Sequence, residues 1–599
     1  MKTMSAVAAA VLATFLGLAA AGCGSGSDSS ASSSTGTTTS PGYSAAARGS
    51  DPGKKGGTIT VLSAGDVDHI DPGQAYYSFS YEITYATQRP LLAYKPDSVE
   101  PTPDLAASMP TVSKDGKTVT VHIRSGVRFS PPVNRAATSK DVKYAIERGF
   151  SSSVANGYVA AYFGDLVGAP TEVPTKVPSI SGIQTPNKTT LIFKLKHPEG
   201  VFVGALGLPT TAPVPSEYAR KYDSKTLSDY GLHQVATGPY MIKANAAGNI
   251  NGVGYQPGKL IHLVRNPNWN AKTSWRPAHA DQILFKEGFQ DPTVTTRQIL
   301  SGSADVNGDT PPPPAELRTI TASSTQKKQL FFTPTGGSRY IALNTRKAPF
   351  NKVDVRKAVA YVLDRNAMRL TRGGPIDGHI ATHFIDPGFK DKGFTQSGGY
   401  SFDPFASKGF AGDVAMAKSY MRKAGYSNGM YTGPQLTQVA DNTPPGSNTA
   451  EVVAADLAKI GIRLKTISVT HSTMYTRFCN VPKNEPNVCP NVGWLPDFHE
   501  PQAVLDVTFN GKNITAVNNS NWPLLNVPSI NKGMEKAERI LDPKARYAAW
   551  GKIDQQVTRT ASAIPWIWEQ YPTLFSTRVT PAPELWNGGG PDVTFMAVK

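Results

Sequence analysis

Gly493-Trp494-Leu495-Pro496-Asp497-Phe498-His499-Glu500-Pro501 is the most informative stretch of the chain. An acid follows an apolar and aromatic run; read by itself, Asp497 caps a following helix and Trp494 fills a core. His499-Glu500 begins a zinc-protease motif, but the second histidine is missing. Just upstream, Cys479 and Cys489 are ten residues apart. In an exported chain such a pair predicts one disulfide, which for so small a loop contributes ~2–3 kcal/mol. A two-cysteine metal site is the alternative, though no histidine adjoins either residue.

The other cysteine is Cys23, and its surroundings argue for export. Lys2 lies in a weakly positive start, Val7 to Leu18 is apolar, and Ala19-Ala20-Ala21-Gly22 leads into Cys23. That order describes a signal segment. The apolar run is shorter than the ~20 residues that span a bilayer. Small residues ending on a cysteine resemble the lipobox of bacterial lipoproteins, in which the thiol is diacylated and becomes the mature N-terminus. Ala20 departs from the usual leucine three places before the cysteine. The competing reading is an ordinary secretory peptide with an incidental cysteine. Residues 1–22 are therefore expected to be a signal peptide. Residues 23–50, almost all Gly, Ser, Thr, Ala and Pro, are expected to be a flexible tether.

About 550 residues remain, enough for two to four domains. The formal charge is +16, a balance suited to an anionic membrane surface or acidic ligands. Lys and Arg are scattered with no run of five, which describes a solvated surface and no nucleic-acid footprint. The 54 glycines and 48 prolines punctuate irregularly alternating strand and helix signals, the pattern of a mixed α/β chain. Gly57 to Leu62 reads as a strand. Val112 to Arg124 reads as a hairpin turning at Asp115-Gly116, with Val119, Val121 and Ile123 alternating beyond the turn. Gly116-Lys117-Thr118 lacks the earlier glycine of a phosphate loop and is part of that turn. Helices are expected from Thr138 (hydroxyls at the cap, Asp141 in the first turn), over Val355–Leu370, over Thr449–Ile460, and over Ser529–Leu541 and Lys544–Thr560 on either side of Asp542-Pro543.

Catalytic motifs are missing: there is no serine nucleophile elbow, no dinucleotide fingerprint and no complete metalloprotease motif. On a helix, His379 and His383 would place two imidazoles on one face for a metal. Gly373-Gly374-Pro375, Gly378 and Pro387 instead predict a loop. Neither enzyme activity, metal nor cofactor is expected.

Over nearly the whole body the chain resembles the family 5 solute-binding proteins of ABC importers. The matching blocks occur in the family's order. They are Asp68-His69-Ile70-Asp71-Pro72, Pro103-Asp104-Leu105-Ala106, the Asp-Gly hairpin, and Ile123 to Phe129. Ala137 to Val142, Ala236 to Tyr240, Leu343-Asn344-Thr345 with Pro349-Phe350-Asn351, Val355 to Ala358, and Leu363-Asp364-Arg365 follow, before the 493–501 stretch. The resemblance implies a two-lobed periplasmic-binding-protein fold (type II, cluster C) with an extra domain and a ligand cleft between the lobes. Lobe I would comprise 51–95, 206–310 and 572–599, the extra domain 96–205, and lobe II 311–571.

It further implies a monomer that captures peptides and delivers them to ABC permease subunits with cytoplasmic ATPases. The lipid anchor would hold it on the outer face of the bacterial cytoplasmic membrane. A nickel chelate, oligosaccharide, siderophore or haem is the alternative cargo, and a secreted hydrolase is a distant third reading. Asp497 would pair with a peptide's α-ammonium, a cation every peptide shares. Gly493 to Leu495 would pair with its backbone, and Trp494 would wall a side-chain pocket. Tyr76, Tyr77 and Ser78, after the first strand, are the candidates on the opposite lobe.

Overall fold

The structure, a computed structural model, describes residues 53–95, 98, 100–389, 394–585 and 589–599. The signal segment, the tether and Cys23 lie outside the described residues.

The expected first strand is Thr58–Leu62, where Ile59 and Val61 are fully buried and the threonines between them are half-buried. That alternation places one face on a core. Its neighbours are Val306–Asn307 on one side and Gln282–Lys286 on the other, both parallel. Leu260–Arg265 and Tyr240–Ile242 extend the sheet in antiparallel fashion. Phe79, from the helix Ser78–Thr87, packs on this sheet with Leu263, Ile283 and Phe285.

A second sheet runs in the order Gly378–His379, Ala563–Leu574, Leu330–Leu343, Val488–Trp494, Leu436–Asp441, Leu464–Val469. Its separate core includes Ile341, Val355, Val359, Leu457 and Trp566. The long strands Leu330–Leu343 and Ala563–Leu574 pair antiparallel and connect the two regions. At one end Leu330, Phe332 and Leu574 meet Leu62 and Ile299 of the first region. At the other, Ile341 and Ile564 lie in the second core. The result is the two-lobed α/β fold of the expected class.

The Asp115-Gly116 hairpin joins Thr111–Val112 to Thr118–His122 within a four-stranded antiparallel sheet completed by Thr190–Lys194 and Ile183–Asn187. Val119, Val121, Leu191 and Phe193 cover Val142 and Ile146 of the helix Ser139–Gly149. Asp141 closes the capping box at that helix start, its Oδ2 accepting from the Thr138 amide at 2.8 Å. The helix expected over Val355–Leu370 is instead two, Val353–Val362 and Arg365–Leu370. Asp364 causes the break: its carboxylate accepts from the Ala367 amide at 2.7 Å and caps the second helix. The remaining expected helices are Gly446–Ala458, Pro528–Glu538 and Pro543–Arg559, the last capped by Asp542.

His379 is exposed on its short strand beside the Tyr400 ring, whereas His383 is buried, its Nδ1 2.9 Å from Asp554. The two imidazoles serve different surroundings. Among the described residues no helix is long and apolar enough to cross a membrane.

Candidate functional site

A cavity with about 1650 Å³ of atom-free space, partly open to solvent, lies between the two lobes. Tyr76, Tyr77, Ser78, Gly493, Trp494, Leu495 and Asp497 all line it. Tyr76 and Tyr77 enter from the turn before the helix Ser78–Thr87, and Ser78 from its first position. Asp68 builds that turn: its Oδ2 accepts the Tyr76 and Tyr77 amides at 2.9 and 3.1 Å, and its Oδ1 accepts the Ser80 hydroxyl at 2.5 Å. The other four leave the end of the strand Val488–Trp494. That strand lies close against its neighbour because Gly337 has no side chain; a Cβ there would sit 2.3 Å from the Trp494 carbonyl oxygen.

Asp497 is buried, and its Oδ2 accepts two hydroxyls: Tyr76 at 2.9 Å and Tyr162 at 2.5 Å. Tyr76 thus reaches the second lobe from the first. No cationic side chain lies within ion-pair distance of Asp497 among the described residues. Burial pushes its carboxyl up to about 7, although the two hydroxyls pull the other way. Burial and the Asp497 charge in turn hold the Tyr76 and Tyr162 hydroxyls protonated, well above their ordinary range. The helix after the motif starts at Gln502 behind Pro501, so Asp497 does not cap it.

Trp494 serves two purposes. Its Nε1 donates to the Ala503 carbonyl at 2.7 Å, fixing the indole, while the ring joins an aromatic arc around the cavity. Tyr76 meets Trp494 edge-on at 5.3 Å, Trp494 meets Trp522 at 5.8 Å, and Trp522 meets Tyr475 at 5.2 Å. Tyr475 continues to His471 at 5.2 Å, and His471 to Tyr77 at 5.7 Å, returning to the first lobe. Such rings offer broad apolar contact with polar edges. The Gly493 amide donates to the Tyr475 hydroxyl at 3.0 Å. An extended ligand on this strand would therefore use other main-chain groups or displace that hydroxyl.

Cys479 and Cys489 are joined in a disulfide that ties the helical turn carrying Tyr475 to the strand carrying Gly493 and Trp494. Both sulfurs belong to buried residues.

Sequence reasoning missed the rest of the polar lining. Asp309 accepts the Ser63 hydroxyl, the Ala64 amide and the Tyr77 hydroxyl at 2.8, 2.9 and 3.2 Å. Asp441 accepts from Asn491 at 3.0 Å and lies 2.7 Å from His471 Nδ1. Glu569 receives Arg339 Nε at 2.8 Å and a second guanidinium from Arg372. Burial would raise the Glu569 carboxyl, but the two arginines hold it below its usual range. These residues come from separate strands and loops, and no local spacing links them. Tyr162 sits in the apolar run Val159–Phe163, where it reads as core.

Known proteins resemble the chain over most of its length. The family described as bacterial extracellular solute-binding proteins, family 5 Middle, matches residues 100–516. A di/tripeptide-binding protein of Pseudomonas aeruginosa is 23% identical over 506 residues, 82% of this chain and 85% of the relative. The heme-binding protein A of Haemophilus influenzae is 25% identical over 519 residues, 83% of each chain. Among solved structures, a periplasmic binding protein of Helicobacter pylori in complex with the peptide STSA superposes with a TM-score of 0.74 at 19% identity. That superposition covers 91% of this chain and 98% of the other, a likeness of fold.

Proposed function

The chain belongs to the bacterial extracellular solute-binding proteins of family 5, and from that premise we propose that it captures short peptides for an ABC importer. The lobes close on the peptide, and the loaded protein hands it to permease subunits driven by cytoplasmic ATPases. Diacylated Cys23 tethers the protein to the outer face of the cytoplasmic membrane. Its work is binding, without bond making. Closure is a hinge motion favoured by whatever contacts the ligand makes only in the closed state.

One observation carries the reading. Asp497 is a buried carboxylate lining the cleft with two neutral tyrosine hydroxyls as its hydrogen-bond donors. A buried charge without a counter-ion is costly, and a peptide's α-ammonium is a counter-ion that arrives with the cargo. The aromatic arc beside it supplies contact area independent of sequence, and the di/tripeptide-binding relative supports the same class of cargo.

Calorimetry on four combinations tests this: wild type and Asp497→Ala, each with a free-amine and an N-acetylated peptide. Removing one partner of a buried pair costs about 3–5 kcal/mol, or roughly two to four decades of affinity. Each single change should show that loss, and the double change should lose little more. Additive losses would mean that Asp497 does not meet the amine. Tight binding of the acetylated peptide to wild type would move the assignment to another cargo, which mass spectrometry of material released from the purified protein would identify. Cys23→Ala should give an exported protein shed from the membrane, since stable anchoring needs more than one acyl chain. Retention through a high-salt wash would defeat the anchor.

A further inference from the structure

The formal charge of the chain is +16, yet its cleft is lined mainly by acids. Asp68, Asp309, Asp441, Asp497 and Glu569 face it, against His471 and the arginines Arg339 and Arg372, both of which go to Glu569. Asp68 is committed to the Tyr76–Tyr77 turn. Burial would raise the Asp441 carboxyl, but His471 against one oxygen and Asn491 against the other hold it below its usual range. Asp309 is left, half-buried. Among the described residues no cationic side chain lies within ion-pair distance of it.

The hydrogen bonds of Asp309 are uneven. Oδ1 accepts the Ser63 hydroxyl, the Ala64 amide and the Thr310 hydroxyl at 2.8, 2.9 and 3.2 Å, which fixes the carboxylate. Oδ2 accepts the Tyr77 hydroxyl alone among the described residues, at 3.2 Å, although each oxygen of an ionised carboxylate offers about two acceptor positions. That oxygen lies at the seam between the lobes: a Cβ on Gly65 would stand 3.9 Å from it and 3.9 Å from Ser472 Cβ, and Ser472 lines the cavity. From Tyr77 a run of contacts crosses the cleft through His471 and Asp441 to Asn491. Because the Asn491 nitrogen faces a carboxylate, its amide orientation is set and its Oδ1 is an acceptor. Oδ1 has no hydrogen-bond partner, although Asn491 is 1% exposed and lines the same cavity. A buried acceptor without a donor is costly, and N–H groups are what both it and Asp309 Oδ2 can take.

We infer that Asp309 is a specificity residue of the cleft that pairs with a cationic side chain of the cargo, a lysine or an arginine, so that the protein selects basic peptides. This inference rests on the peptide reading, in which Asp497 takes the α-ammonium. Tyr76 donates to Asp497 and Tyr77 to Asp309, so neighbouring residues of one turn define two separate acidic positions. At Asp309 the side-chain cation gains a charge-assisted hydrogen bond. The acidic lining also focuses the field that draws such cargo into the cleft of an otherwise basic protein.

Calorimetry of the full chain and of Asp309→Asn tests this. The probes are tetra-alanine peptides carrying one lysine at the second, third or fourth position, each set against the peptide with norleucine in its place. All have a free amine, so the contribution of Asp497 is common to them. A hydrogen bond to a charged group corresponds to roughly a ten- to hundredfold change in Kd. Wild type should bind at least one lysine peptide tighter than its norleucine counterpart by that factor. Asp309→Asn, which keeps an oxygen for the Ser63, Ala64 and Thr310 donors, should erase the difference and leave the Kd of the norleucine peptides unchanged. If that variant does not fold, Ser472→Lys offers Asp309 a lysine from the other lobe and should erase the preference likewise. Norleucine peptides that bind as tightly as lysine peptides at all three positions, or a preference that survives in the variants, would overturn the subsite and leave the peptide reading standing. If no peptide binds wild type, both fail together.

Discussion

Asp104 and Asp497 are both buried aspartates, yet the chain treats them in opposite ways. Asp104, within the sequence block Pro103-Asp104-Leu105-Ala106, is held by Arg89 Nε at 2.8 Å and Arg276 at 2.6 Å. Burial would raise its carboxyl, but Arg276 and Arg89 prevail and keep it below the ordinary range. Asp71 and Asp223 are treated alike, both clasped by the buried Arg148 at 2.7 and 2.6 Å. Asp497 is also buried, but among the described residues it has no arginine, only the Tyr76 and Tyr162 hydroxyls, and its carboxyl rises to about 7. At Asp104, Asp71 and Asp223 the scaffold supplies the counter-ion; at Asp497, on the reading proposed above, the cargo supplies it. Perturbed carboxylates of this kind mark functional positions in general.

The most severe way to break the contrast is at Arg148. Arg148→Met would leave Asp71 and Asp223 both uncompensated, at roughly 3–5 kcal/mol for each buried charge. Chemical denaturation should register a large loss of stability, or the variant should fail to accumulate as folded protein. Any folded fraction should still bind peptide, because the site is elsewhere. A stability close to wild type would remove the structural half of the comparison.

Acidity provides the next test. Below about pH 7 the ligand-free Asp497 carboxyl takes up a proton and presents no charge to an ammonium. In the complex the ammonium favours the ionised form, so binding in that range releases a proton. Affinity should fall as pH drops below 7, by up to about tenfold per pH unit, until the carboxyl of the complex itself protonates. Asp104, already ionised and paired, adds nothing in that window. Calorimetry between pH 8 and pH 5.5 should show this slope in wild type and its loss in Asp497→Ala. A flat wild-type profile would mean that Asp497 does not meet the cation.

The contrast also marks how far the sequence could be read. Local signals carried the first strand, the Asp115-Gly116 hairpin and the capped helix at Thr138, because each rests on alternation or on cap chemistry within a few residues. Trp494 and Asp497 were legible because they fall inside an ordered block, and Tyr76 because it follows the first strand where the resemblance places ligand-facing residues. Tyr162, Arg339, Arg372 and Glu569 were not, since they converge from four different segments and only the tertiary fold relates them. The break at Asp364 was missed for the opposite reason. The apolar spacing of residues 355–370 suits one helix, and a single carboxylate turning to the Ala367 amide outweighs it.

The smallest effect is the one that separates function from stability at a single residue. With its folded value near 7 and its ordinary value at 3.8, Asp497 binds more protons in the folded protein than in the unfolded chain between those limits. Its contribution therefore favours folding at low pH and is lost as pH rises through 7. A shift of that size corresponds to ~4 kcal/mol as an upper bound. The buried amide of an asparagine bears a desolvation cost of its own, which leaves a net difference of about 1–2 kcal/mol, the scale of one net hydrogen bond. Asp497→Asn retains an acceptor for the two tyrosines without the charge. In denaturant titrations the ligand-free variant should be more stable than wild type at pH 8 by about that amount, with the gap closing by pH 4–5. Saturating peptide should reverse the order at pH 8, because it stabilises wild type and has little hold on the variant. A variant less stable than wild type at pH 8 without ligand would make Asp497 a structural residue like Asp104.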